Sequence, residues 1–137
     1  MADWDDVRRT AMALPEVTEE PSHGHTGGPA WKVRDKAFLW ERPLRRRDLD
    51  ELGADAPAGP VLAARVPDEG AKQALLASNP AVYFTTAHFD GYPAILCRLD
   101  VLDPAELEEL AAEAWLARAP KRLANQFLET STTGGDR

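Results

Sequence analysis

The chain has 137 residues, 44% of them hydrophobic and 28% charged, with a formal net charge of -7 and one cysteine. That is the size and composition of one ordinary globular domain. The acidic balance excludes non-specific nucleic-acid binding by a uniformly basic surface, Cys97 alone cannot form an internal disulfide, and no apolar run approaches the ~20 residues that span a bilayer.

The start, "MADWDDVRRTAMALPEV", lacks the cationic-then-apolar order of a signal peptide, so a cytoplasmic setting is expected. Asp3 is the expected cap of a first helix over 3–14, with Trp4, Val7, Ala11 and Leu14 at helical spacing and Pro15 as its stop. Residues 16–30, "EVTEEPSHGHTGGPA", hold Pro21, Gly24, Gly27, Gly28 and Pro29 and read as a loop. "AWKV" and "AFLWE" then read as two strands joined by a tight turn near Asp35 and Lys36. The polar connection 42–60 contains a short helical turn at 47–52.

"VLAARV" (61–66) is a third strand. "PDEGAKQALLAS" (67–78) is a helix capped by Asp68, with Ala71, Ala74, Leu75 and Ser78 expected inward. Strands "AVYFTT" (81–86) and "AILCRLDV" (94–101) flank the turn signal Asp90-Gly91. "DPAELEEL" supplies a helix start with Asp103 as cap, Pro104 at the first position and Glu106 closing a capping box. Leu107, Leu110, Ala111, Ala114 and Arg118 share one side of that helix, flanked by Trp115; Pro120 interrupts it, and Leu123 and Phe127 lie on a last segment. The domain is expected over 1–128, with 129–137 a flexible tail. The order α-β-β-β-α-β-β-α with short links predicts a two-layer α+β domain with an antiparallel five-stranded sheet. One sheet face is then left open to water or to a partner.

Charge is segregated along the chain. Residues 31–47 hold Lys32, Arg34, Lys36, Arg42, Arg45, Arg46 and Arg47 against Asp35 and Glu41, whereas residues 100–113 hold six acids and no base. Strand alternation puts Lys32, Arg34 and Lys36 on one face and its adjoining turn, and Arg45–Arg47 extend the group. Trp31, Trp40, Phe89 and Tyr92 are candidate stacking surfaces beside it. This is the candidate nucleic-acid-binding set, against the simpler reading of solubilising charges paired to Asp48, Asp50 and Glu51.

Catalysis has weaker support. His23 and His25 could face one side of an extended segment, but nothing in the spacing of Glu19, Glu20, His88 or Cys97 completes a metal site, so none is expected. "GHTGG" runs toward a strand rather than opening a helix, unlike a phosphate loop. Ser22 and Cys97 stand in no nucleophile motif. A non-enzymatic chain without cofactor follows.

The blocks "ALPEVTEEPSHGHTGGPAWKVRDKAFLW", "NPAVYFTTAHFDGYPAILCRLD" and "AWLARAPKRLANQF", spanning about Trp4 to Leu128, resemble the MmcQ/YjbR family, also called DUF419. The resemblance implies the fold just described, similar to type III secretion chaperones. It also implies a DNA-binding role by analogy to a double wing, places His23, Gly24 and His25 in a family-motif loop, and supplies no catalytic set. DNA is accordingly the expected partner. The alternative is an adaptor or chaperone-like protein that binds a polypeptide or small molecule on the open sheet face, as monomer or dimer and without a membrane.

Overall fold

Aspartates begin three helices. Asp3 accepts the Asp6 N–H at 2.9 Å while Asp6 accepts the Asp3 N–H at 3.0 Å, which fixes the start of α1 (Trp4–Met12). Asp68 and Asp103 do the same for α3 (Glu69–Ser78) and α4 (Pro104–Arg118), accepting from Ala71 and Ala105. Between α1 and α3 lies the short α2 (Arg46–Leu52); after α4, Pro120 separates α5 (Lys121–Gly135). The structure is a computed structural model that describes residues 2–21 and 28–135.

One antiparallel sheet joins β1 (Val17–Pro21), β2 (Pro29–Val33), β3 (Lys36–Glu41), β4 (Val61–Arg65), β5 (Tyr83–Phe84) and β6 (Ala94–Arg98). Their spatial order is β1-β2-β3-β4-β6-β5. The α+β class stands, but the sheet has six strands rather than five. The extra one is β1, in the segment expected to be loop. "VTEEP" shows no apolar alternation because it is an edge strand, where charged residues and proline are tolerated. The strand expected over 81–86 shrinks to Tyr83–Phe84, and that over 94–101 ends at Arg98, followed by a 3-10 turn at Leu99–Val101.

The sheet is covered on both faces. Alternation along β4 and β6 sends Leu62, Ala64, Ile95 and Cys97 to one side, where α1 and α4 bury them with Val7, Ala11, Leu107, Leu110, Ala111, Ala114 and Trp115. Val61, Ala63, Ala94 and Leu96 point the other way, into a smaller cluster closed by Phe84, Phe89, Trp40, Leu44 and Leu52. The open face expected from the element order is therefore closed, in this part of the sheet, by α2 and the 87–93 turn. The signal for it is present in "VLAA" and "AILC", whose unbroken apolar runs mark strands buried on both sides.

Two polar side chains take unexpected places. Glu106 closes no capping box; it accepts the Tyr83 hydroxyl at 2.5 Å, and burial together with this bond raises the phenol's pKa. On α3 the most buried residue is Lys72, while Ala74 and Ser78 are exposed. Its ammonium donates to the carbonyls of Phe89 at 2.6 Å and Tyr92 at 3.0 Å, so the charge is solvated by backbone and ties the 87–93 turn to α3.

At the other end, Trp4 stacks on Trp31 with ring centres 6.3 Å apart. Glu19 of β1 links them, accepting from Arg8 Nε at 2.8 Å and Trp31 Nε1 at 3.0 Å. The Arg8 bond, aided by Trp31, holds the Glu19 carboxyl below its ordinary value of 4.5. A depressed carboxylate stabilises fully above its unfolded pKa and loses that contribution as pH falls through its folded value. Glu19→Gln should therefore lower the urea midpoint at neutral pH and flatten its decline below pH 4.5, as read from unfolding curves across the acid range.

Strands β2 and β3 meet in a two-residue turn whose central residues, Arg34 and Asp35, have φ of 49° and 69°. Positive φ at both positions suits the twist of a hairpin, but side chains other than glycine disfavour it. Asp35→Gly should raise stability by about 1 kcal/mol, visible as a higher thermal midpoint.

Candidate nucleic-acid interface

The seven predicted basic residues do not form one patch. Lys32, Arg34 and Lys36 flank the β2–β3 turn, and the chain then runs the length of β3 before Arg42. Six strand residues span about 17 Å, so the two groups stand at opposite ends of β3.

At the turn end the charge is largely neutralised. Lys32 Nζ lies 3.5 Å from Glu20, and Arg34 forms an ion pair with Glu16. Of that group only Lys36 carries no ion pair among the described residues.

At the other end Arg42 is buried with Asp48, its Nη2 3.2 Å from the Asp48 carboxylate. The guanidinium also donates to the Pro43 carbonyl and lies over the Phe89 ring, 5.4 Å from its centre. Asp48 further accepts the Arg45 N–H at 2.9 Å, which sets where α2 begins. Buried charges are tolerated when each is paired and hydrogen-bonded, as here. Arg45, Arg46 and Arg47 are exposed and make no ion pair among the described residues. They rim a cleft of about 520 Å³ whose walls also include Arg42, Asp48, Glu51, Ala87 and His88. Both Glu51 oxygens accept the Ala87 N–H, at 3.0 and 3.1 Å, which joins α2 to the 87–93 turn.

The stacking surfaces expected beside the patch are mostly structural. Trp31 and Phe89 are buried and Trp40 packs half-buried on the second cluster; Tyr92 alone of the four is exposed. His88 is exposed and meets the Phe89 ring edge-on at 5.2 Å. His23, Gly24 and His25 lie outside the described residues. Among the described residues no group of three His, Cys, Asp or Glu side chains is placed to hold a metal. Cys97 is fully buried, and burial raises its thiol pKa, which disfavours the reactive thiolate. No helix among the described residues is long and apolar enough to cross a membrane.

Sequence reasoning missed the role of Glu51, Ala87 and His88 in walling the cleft. Nothing in their spacing announces it, since they are joined only by the fold-back of the turn over the sheet.

The family model YjbR matches residues 12–117. The chain belongs to the YjbR family. An "Uncharacterized protein Rv2570" of Mycobacterium tuberculosis is 48% identical over 134 residues, covering 96% of this chain and 99% of the relative. A Mycobacterium bovis relative, "Uncharacterized protein Mb2600", matches with the same identity and coverage. The crystal structure of Deinococcus radiodurans protein DR2400, a DUF419 domain, superposes with a TM-score of 0.60 at 18% identity, over 85% of this chain and 78% of that one. At that identity the likeness speaks for the YjbR fold alone.

The Arg42–Asp48 pair holds the cleft's inner wall. Asp48→Ala strands a buried guanidinium and frees the Arg45 N–H, and should cost about 3 kcal/mol. Urea unfolding of that variant checks it, with Asp50→Ala, an exposed neighbour, as the near-neutral control.

Proposed function

We propose that this YjbR-family protein is a non-catalytic DNA-binding module that grips backbone phosphates with Arg45, Arg46 and Arg47. The observation that carries the reading is the row of three exposed guanidiniums, without ion pairs among the described residues, at the start of α2, beside a cleft and anchored from below by Asp48. Cations at a helix start oppose the helix dipole, so local stability does not account for them. Successive helical residues point about 100° apart, which suits several phosphates of an extended polyanion better than one small anion. Asp48 and Glu51 in the cleft's lining also oppose an anion that would enter fully.

The footprint is small and base readout is slight. With Lys32, Arg34 and Arg42 already paired, about three phosphates are contacted, and the overall net charge of -7 weakens association at low salt. The alternative of a polypeptide bound on an open sheet face loses ground, because the second cluster covers that face over β4 and β6.

Fluorescence anisotropy of a short labelled duplex tests the proposal. Binding should be saturable and fall with salt at a log–log slope of about -3, from roughly 0.9 counterions released per phosphate contact. The Arg45→Ala/Arg46→Ala/Arg47→Ala protein should lose this binding while its thermal midpoint stays level or rises. Unchanged affinity in the triple variant removes the site; absence of binding by the parent at low salt removes the function.

A further inference from the structure

An apolar groove of about 490 Å³ opens between α3 and α4. α3 turns Ala71, Ala74, Leu75 and Ser78 toward it, the i, i+3, i+4, i+7 spacing of one helix face. Ala71 and Leu75 reach the core beneath, while Ala74 and Ser78 stay exposed, so the face that the α3 sequence marks as inward is left partly uncovered. Val66 and Leu110 complete the floor. The groove is of the size that encloses small organic ligands.

Its α4 side is a row of carboxylates, Glu106, Glu109 and Glu113. Helical rise sets them about 4.5 Å and then about 6 Å apart along the axis. Like charges at i,i+3 and i,i+4 destabilise a helix, and the positive end of α4 favours only Glu106, in its first turn. Tyr83 donates to Glu106, but Glu109 and Glu113 take no hydrogen bond or ion pair among the described residues. Arg65 is the one base in the lining, and its guanidinium lies over the ring of Tyr92, outside the lining, 5.0 Å from the ring centre. The fold thus sets an acidic edge along an apolar floor and leaves both unmatched.

The occupant that matches both is apolar along its length and carries several positive charges. A metal cation would neutralise the row and leave the floor wet. A monoamine would cover the floor and meet one carboxylate. Nitrogens separated by three or four methylenes repeat on the scale of the carboxylate row. We propose that the α3–α4 groove binds a linear aliphatic polyamine, its methylenes over Val66, Leu75 and Leu110 and its ammoniums on Glu106, Glu109 and Glu113. The groove shares no lining residue with the α2 cleft, and the proposal stands or falls independently of DNA binding.

Calorimetric titration of the full-length protein at constant ionic strength, without nucleic acid, tests it. Spermidine should bind saturably at one site. Hexylamine should bind at least tenfold more weakly, and magnesium at equal charge should not displace spermidine. Glu109→Gln and Glu113→Gln should each weaken spermidine about fivefold. Glu108→Gln removes the same charge from an exposed α4 position outside the groove and should leave the affinity unchanged. Ala74→Lys, at an exposed α3 position, puts the protein's own ammonium into the groove and should weaken spermidine tenfold or more without lowering the thermal midpoint. No saturable spermidine binding overturns the site. An equal loss in Glu108→Gln, or an undiminished affinity in Ala74→Lys, shows attraction to general acidity and overturns it too. Hexylamine or magnesium binding as well as spermidine overturns the polyamine assignment.

Discussion

The structure turns on two strands that are apolar on both sides. "VLAA" in β4 and "AILC" in β6 lie side by side near the middle of the sheet, and neither face of this pair can be left to water. On one face α1 and α4 supply the cover. On the other there is no long helix, so the chain uses what remains: the 43–60 connection, folded into α2, and the turn that carries Phe89. Segments that look like surface connections in the sequence are thereby committed to the core, and the charges they bear are set in place with them.

That commitment explains why a buried ion pair sits next to a row of exposed cations. Leu44 and Leu52 must reach the second cluster from either side of α2, which draws Arg42 and Asp48 under the surface between them. Their pairing makes the draw tolerable, and Asp48 also receives the first N–H of the α2 start. Lys72 plays the matching part for the opposing turn, feeding its ammonium to two carbonyls. The arginines at 45–47 therefore ride on a backbone held from below at several points, and what a ligand has left to order is their side chains.

Much of this fold is legible in the sequence where one physical rule dominates locally. Asp3, Asp68 and Asp103 announce helices because a carboxylate before an apolar period has few other uses. Asp90-Gly91 marks a turn whose glycine indeed has positive φ, 73°. The rest is hidden where a distant partner overrides the local rule. Glu106 has capping-box spacing, yet Tyr83 claims it. β1 reads as loop because an edge strand needs hydrogen bonds to one neighbour only and keeps its side chains polar. For the interface, counting bases along residues 31–47 picked out a basic stretch but not its geometry. β3 carries the two halves of the run to opposite ends, and Glu16, Glu20 and Asp48 cancel three members of it.

The two margins of the sheet have a consequence of their own. One is β1, with Glu19, Glu20 and Pro21 along it; the other is β5, two residues long. Neither margin offers a stretch of uncharged, regularly spaced backbone donors and acceptors, so another chain would find little to dock against there by extending the ladder. Self-association by strand exchange is disfavoured in the same stroke, as is growth into cross-β aggregates from the native state. At these two margins the surface presents charged side chains more than free peptide backbone, so charge placement rather than ladder extension distinguishes them.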